Sequence, residues 1–304
     1  MQNFIYKNPT DILFGRGMIA EIAGRVPEDA PVLFLYGGGS IKRNGVYDQV
    51  KAALKKHRAV EFGGIEANPF YETCLAAVDV VKRERVGFIL AVGGGSVLDP
   101  ETTFTLPPKQ VRNGVVDAIA HVMEQYMTFP ADAPLQDRMA ESVLQTLVEV
   151  GPVTLAEPKN YEARAAFMWS ATLALNTLLG CGVPQDWATH MIGHELTAFY
   201  GLDHAETLAI VMPGVWQHKL AQKKAKLEQY GRRVWNVASA EAAIEKTEAF
   251  FNSIGMPTRL RAYNIAAEEA AAKISGRFAE RKATFGEHGD IGPAAAAAIL
   301  RLRA

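Results

Sequence analysis

Asp117 and His121 stand four residues apart in Val115-Val116-Asp117-Ala118-Ile119-Ala120-His121, so a helix through this segment stacks a carboxylate over an imidazole on one face. The neighbours are apolar, and an unpaired carboxylate among them is costly; a bound cation would relieve that cost. His190 and His194 repeat the spacing in Trp187-Ala188-Thr189-His190-Met191-Ile192-Gly193-His194, and His204 follows a break at Gly201. Three imidazoles with one carboxylate suit Fe(II) or Zn(II), and the set serves either, whereas calcium and magnesium prefer more oxygen. A lone histidine in such a setting is more often a hydrogen-bonded core residue than a ligand. Four together, each needing its own partner in a low-dielectric interior, are harder to explain that way. Glu195 follows His194 instead of His190, so the His-Glu-x-x-His order of a metalloprotease is absent. His57, His218 and His288 sit among charged, polar or glycine residues and read as surface groups.

Two glycine clusters offer a second kind of chemistry. Gly93, Gly94, Gly95 and Ser96 come directly after the apolar run Leu90-Ala91-Val92, and Val97 and Leu98 are expected to open a helix. That geometry lets backbone N–H groups approach a pyrophosphate at a helix N-terminus; the plainer alternative is a tight turn at a sheet edge. Gly37, Gly38, Gly39 and Ser40 follow an earlier strand and lead into Ile41-Lys42-Arg43. A carboxylate near such a strand end selects NAD through the ribose 2′-hydroxyl, whereas a 2′-phosphate needs donors and positive charge. No acid occurs between this cluster and Asp48, so with a cofactor ribose against the loop, Ser40, Lys42 and Arg43 favour NADP(H). A glycine-rich turn carrying two solvated basic residues is the alternative.

The elements that must position these groups divide the chain in two. Apolar runs predict strands at 11–14, 31–36, 60–62 and 87–92, alternating with helical periodicity at 18–26, 46–56 and 71–83, the pattern of a parallel sheet flanked by helices. From Pro107-Pro108 onward the sequence reads as helices, at 110–126, 135–150, 161–179, 187–200 and 205–212, with Ala-rich tracts at 266–273 and 294–303. The fold class is therefore α/β plus all-α: a Rossmann-like dinucleotide-binding domain over 1–104 and a helical, metal-binding domain over 105–304.

The 304 residues carry 32 basic against 33 acidic side chains and are 49% hydrophobic, which gives two packed cores and no basic surface for nucleic acid. No run of eighteen apolar residues suggests a membrane span, and the opening Met1-Gln2-Asn3-Phe4-Ile5-Tyr6-Lys7 lacks signal-peptide character. Two cysteines, Cys74 and Cys181, are expected as buried thiols, which fits a reducing cytoplasm.

Taken together the sequence resembles the iron-containing (group III) alcohol dehydrogenases, and most closely their NADPH-dependent aldehyde reductase and butanol dehydrogenase branch. The resemblance is carried by Pro9-Thr10-Asp11-Ile12-Leu13-Phe14-Gly15, Tyr36 to Ser40, Gly64-Ile65-Glu66-Ala67-Asn68-Pro69, Ala91 to Ser96, Asn113 to His121, Gly182-Val183-Pro184-Gln185-Asp186-Trp187-Ala188-Thr189-His190, and His194 through Pro213. It implies a dehydroquinate synthase-like fold with Asp117, His121, His190 and His204 as metal ligands and His194 as a non-ligand histidine facing the substrate. It assigns the cofactor diphosphate to Gly93, Gly94, Gly95 and Ser96, the adenosine ribose with its 2′-phosphate to Gly38, Gly39 and Ser40, and further cofactor contacts to Asn68 and Asp99. It also implies a homodimer paired through an N-terminal strand at Phe4, Ile5 and Tyr6.

The implied reaction is reversible reduction of aldehydes to primary alcohols by NADP(H), with Fe(II) or Zn(II) as Lewis acid. A metal-dependent hydrolase, and a non-catalytic binding protein with a vestigial site, are the competing readings. The chain is shorter than members of that family, and the shortfall falls between Leu98 and Asp99, where further strands and a Thr/Ser-rich cofactor loop belong. Losing strands from a parallel sheet is expected to expose apolar helix faces and an unpaired strand edge. Cofactor binding depends on that segment; the metal ligands do not.

Overall fold

The computed structural model describes residues 1–66, 69–93 and 97–304. The chain forms two compact units, Pro9–Thr105 and Leu106–Ala304, the latter joined by Met1–Asn8. The sequence divided the chain at 104/105 and left the N-terminus with the α/β unit. Instead the first eight residues lie with the helical unit, where the Gln2 N–H donates to the Gly182 carbonyl at 2.9 Å.

In the α/β unit the strands are β1 (Leu13–Phe14), β2 (Val32–Tyr36), β3 (Ala59–Phe62), β4 (Phe88–Val92) and β5 (Val97–Leu98). The helices are α1 (Ser40–Arg43), α2 (Val46–Ala53) and α3 (Tyr71–Glu84). β2 is the centre of a parallel three-stranded sheet in the order β3-β2-β4, with Val32 opposite both Ala59 and Phe88. Its Val32, Leu33 and Phe34 are buried on both faces, which is why the run is uninterrupted by polar residues. Ile19, Ile22, Val46, Val50 and Leu54 pack against it from the 3₁₀ turn Met18–Gly24 and from α2. Because β3 and β4 lie on opposite sides of β2, the chain changes direction across the sheet between β2 and β4. Ligands of open α/β sheets bind outside the strand ends at such a switch point.

Val97 and Leu98 do not open a helix. They pair in parallel with β1, Leu13 opposite Val97 and Phe14 opposite Leu98. Pro100 explains this, since the residue before a proline is excluded from the helical region, and Asp99 accordingly adopts φ −109°, ψ 109°. The outer edge of β4 has no strand partner among the described residues, and Ile89 on it is 56% exposed. α3 buries none of its residues, leaving Tyr71, Leu75 and Val78 open to solvent. This is the exposure expected of a sheet that lacks strands beyond β4. It also corrects the expectation for Cys74, which sits on this uncovered helix and is exposed, whereas Cys181 is buried.

The helical unit comprises α4 (Pro108–Tyr126), α5 (Pro134–Ala156), α6 (Tyr161–Leu175), α7 (Ala188–Tyr200), α8 (His204–His218), α9 (Leu220–Tyr230), α10 (Ala240–Ser253), α11 (Ala267–Arg281) and α12 (Pro293–Arg301). α8 is its axis, with every residue from Ala205 to Trp216 buried. α8 runs through Pro213, where a proline normally ends a helix; burial on all sides offsets the one lost hydrogen bond. Among the described residues no helix is long and apolar enough to cross a membrane.

Candidate metal centre

Three helices of this unit aim imidazoles at one point. α4 contributes Asp117 and His121, α7 contributes His190 and His194, and His204 is the first residue of α8. α8 begins in a capping box, in which the Asp203 N–H donates to Glu206 Oε2 at 2.9 Å. Lys109 and Asn113 of α4 both reach Asp203 Oδ2, at 2.9 and 2.8 Å, and so tie the start of α8 to the helix that carries Asp117. Gly193 sets the α7–α8 crossing: a Cβ there would stand 2.7 Å from the buried Thr207 hydroxyl, so only glycine admits this approach. α7 itself starts from Trp187 in the left-handed region at φ 62°, a strained conformation for a bulky residue. The Trp187 ring packs edge-on against His121 and His190.

The hydrogen bonds decide what the imidazoles can do. His121 Nδ1–H donates to the Asp117 carbonyl at 2.8 Å, and His190 Nδ1–H donates to Glu124 Oε1 at 3.0 Å. With both Nδ1 atoms carrying the proton, the Nε2 lone pairs of His121 and His190 face each other 3.2 Å apart. Such an approach is repulsive unless a cation lies between them, and two nitrogens on one tetrahedral Zn(II) are separated by roughly 3.4 Å. A proton is a poor substitute: burial first, then the neighbouring His121, push His190 down to about 3, and burial pushes His204 down to about 4. Asp117 Oδ1 completes the case. It is buried without a hydrogen-bond partner, 3.5 Å from His121 Nδ1 and 3.6 Å from His204 Nε2. Ligand atoms of Asp117, His121 and His190 all lie within 4.8 Å of one another. The His204 ring is centred 5.2 Å from that of His190. The donor set fits a divalent transition metal.

His194 lies one turn beyond His190 and is exposed, its ring stacked on His204 at 5.3 Å. Three further residues, none of them assigned a role from the sequence, support the centre. Glu124, 4% exposed, holds His190, and burial followed by the Asp186 carboxylate pushes it up to about 8. Asp186 Oδ1 accepts from the Ala188 N–H at 2.9 Å and its Oδ2 from the buried Lys223 ammonium at 2.8 Å. Glu124 is readable only as the next apolar-face position after Asp117 and His121; Asp186 stands in the Gly182–His190 stretch that carries the family resemblance, and nothing local marks Lys223.

In the α/β unit Gly37, Gly38 and Gly39 follow the carboxyl end of β2 and Gly93 that of β4, on either side of the switch point. Gly39, at φ 88°, turns the chain into α1, which starts at the exposed Ser40. Gly38 is exposed beside it, and Lys42 Nζ sits over the rings of Tyr36 and Tyr47, 5.1 and 5.0 Å from their centres. Glu61 of β3 is an acid about twenty residues beyond the cluster, where a carboxylate accepts a ribose hydroxyl in NAD-selective sites. Its carboxylate instead accepts from Tyr36, Tyr47 and Lys51. Gly93 follows β4 at φ 146°. Asn68, Gly94, Gly95 and Ser96 lie outside the described residues. Asp99 is buried and engaged within its own unit, accepting from the Gly17 N–H at 2.7 Å and the Glu101 N–H at 3.0 Å.

The chain thus joins a parallel α/β unit in sequence to a helical unit that brings Asp117, His121 and His190 together with His204 beside them, a candidate metal-binding class of fold. Residues 9–100 match the family described as iron-containing alcohol dehydrogenase, and residues 112–291 the C-terminal part of the Fe-containing alcohol dehydrogenase family. The chain belongs to the iron-containing alcohol dehydrogenase family. It is 43% identical to the NADPH-dependent aldehyde reductase YqhD of Escherichia coli (strain K12), in an alignment of 374 positions spanning 96% of this chain and 97% of that protein. The NADP-dependent alcohol dehydrogenase 3 of Entamoeba histolytica is 35% identical, with 96% of each chain covered. Among solved structures, the substrate- and cofactor-free aldehyde reductase YqhD from E. coli superposes over the whole of both chains with a TM-score of 0.95 and 42% identity. NADH-dependent butanol dehydrogenase A from Thermotoga maritima gives a TM-score of 0.90 at 28% identity, covering 100% of this chain and 99% of that one.

Proposed function

We propose that this protein is a metal-dependent oxidoreductase that transfers hydride between NADP(H) and an aldehyde or primary alcohol. The observation that carries the reading is the pair of facing Nε2 atoms of His121 and His190 beside the unpartnered Asp117 Oδ1, in a chain of this family. Asp117, His121, His190 and His204 would hold Fe(II) or Zn(II). When bound, the ion supplies Lewis-acid polarisation of a carbonyl and stabilises alkoxide charge, a contribution of several kcal/mol. His194, exposed and stacked on His204, exchanges the proton between the alkoxide oxygen and solvent.

For the cofactor, Gly38, Gly39 and Ser40 would receive the adenosine ribose with its 2′-phosphate, near Lys42. The occupation of Glu61 by Tyr36, Tyr47 and Lys51 favours NADP(H), because it leaves a ribose 2′-hydroxyl no free carboxylate there. Gly93, Gly94, Gly95 and Ser96 would face the diphosphate. Asn68 and Asp99 are weaker candidates, Asp99 because backbone N–H groups take its oxygens. Ile5, 98% exposed between Phe4 and Tyr6, supports pairing of this segment in a homodimer. A cytoplasmic location fits the two reduced cysteines.

The test is to strip metal with a chelator, restore Fe(II) or Zn(II), and follow NADPH absorbance with a short aldehyde. Turnover lost on chelation and regained with the metal is the expected result. Turnover that ignores the chelator would overturn the metal role, and unchanged NADPH fluorescence on adding protein would overturn the cofactor.

A further inference from the structure

Glu124 is a buried carboxylate beside the metal centre that the ligand set does not use. It lies on α4 one turn beyond His121, and its Oε1 accepts twice from one residue of α7: the Nδ1–H of His190 at 3.0 Å and the His190 backbone N–H at 3.1 Å. Next to it Asp186 accepts from the Ala188 N–H and from Lys223, whose ammonium also reaches Glu287 Oε2 at 3.0 Å and the Met127 carbonyl at 2.7 Å. The first turn of α7 is therefore held at two points by carboxylates from outside it, since its own N-cap residue, Trp187, supplies no side-chain bond.

We propose that Glu124 is a positioning residue of the metal centre, fixing the tautomer and the aim of the His190 imidazole so that Nε2, and not Nδ1, stands beside His121 Nε2. This rests on the metal-centre reading above. The backbone bond pins the His190 main chain and the side-chain bond pins the ring, so one oxygen removes both freedoms. Without an acceptor at Nδ1, the ring's proton is free to move to Nε2 and cancel the donor pair. A hydrogen bond accepted from Nδ1–H also raises the basicity of Nε2, and loss of such outer partners typically weakens metal binding about 10–100-fold. A helix cap alone would serve stability and leave the affinity of the folded protein untouched.

Two variants separate these roles. Glu124→Gln keeps an acceptor oxygen for the two His190 N–H groups; Glu124→Leu removes it. Zn(II) affinity is measured on the metal-free full-length protein by competition with a chromophoric chelator, and the site geometry by the visible spectrum of bound Co(II). The dissociation constant is expected to stay within about threefold of wild type in Glu124→Gln and to rise about 10–100-fold in Glu124→Leu, with the Co(II) band displaced only in Glu124→Leu. A wild-type dissociation constant and Co(II) spectrum in Glu124→Leu overturn the proposal; should Glu124→Leu not fold, a loss of about a hundredfold in Glu124→Gln, which keeps the acceptor, overturns it. A drop in melting temperature with Zn(II) affinity intact assigns capping instead and also overturns it. Wild-type protein that takes up neither Zn(II) nor Co(II) refutes the metal-centre reading itself, a failure distinct from that of the variants.

Discussion

His194 differs from the other imidazoles of the cluster in one respect that matters for chemistry: it is open to solvent. His190 is 4% exposed and its Nδ1–H is committed to Glu124, whereas His194 is exposed and its ring stacks on His204. Replacing His194 by Ala is therefore expected to lower turnover by about 10²–10⁴-fold, the range for losing a general acid or base, while metal content stays at the wild-type level. Elemental analysis beside steady-state rates checks this, and parallel loss of metal and rate would make His194 a ligand. The residues of the centre differ in how legible they were. Asp117, His121, His190 and His194 announce themselves by four-residue spacing in apolar helices, and His204 by its place after Gly201. Glu124 does not, because its meaning depends on a partner 66 residues away, and a glutamate next to Met123 and Gln125 has no local signature.

At the scale of elements, the buried lysine of α9 secures the entry to α7. Lys223 is 2% exposed and bonds Asp186, Glu287 and the Met127 carbonyl, so Lys223→Met would leave two buried carboxylates without their counter-charge. Removing one partner of such a group costs about 3–5 kcal/mol, to be read from urea unfolding of the metal-free protein; a loss under about 1 kcal/mol would contradict the assignment. Burial alone would push the ammonium down, but Asp186 and Glu287 outweigh it and hold it above the ordinary 10.5. The stabilisation is thus complete below pH 10.5 and lost as pH rises through the higher folded value, an alkaline weakening that Lys223→Met should lack. The elements were mostly legible because apolar periodicity survives in both halves; where the reading stopped short, tertiary packing decided. Residues 205–212 were expected as a helix ended by Pro213, yet α8 continues to His218 because its surroundings bury it on every side. Val97 and Leu98 stand where a helix could open after the glycines, yet they pair with β1 as a strand ahead of Pro100.

At the scale of the molecule, the two units have separate cores, one around β2 and one around α4 and α8, and each candidate ligand belongs to one of them. A ligand that binds only folded protein stabilises its own unit by RT ln(1 + [L]/Kd), about 2.7 kcal/mol at a hundredfold excess over Kd. Calorimetry of the metal-free protein is expected to resolve two transitions. The lower belongs to the α/β unit, whose β4 edge and α3 face stand open with Ile89 and Leu75 exposed. Zn(II) at a hundredfold excess should raise only the upper transition, by about 5–10 °C at 2–4 °C per kcal/mol for a unit of this size. NADPH should raise only the lower one. The two ligands thereby report separately on the two halves of the proposed reaction. An upper transition indifferent to Zn(II) removes the metal centre. A lower transition indifferent to NADPH means that the sheet ending at β4 no longer holds a dinucleotide, and leaves a metal-binding helical unit without its hydride carrier.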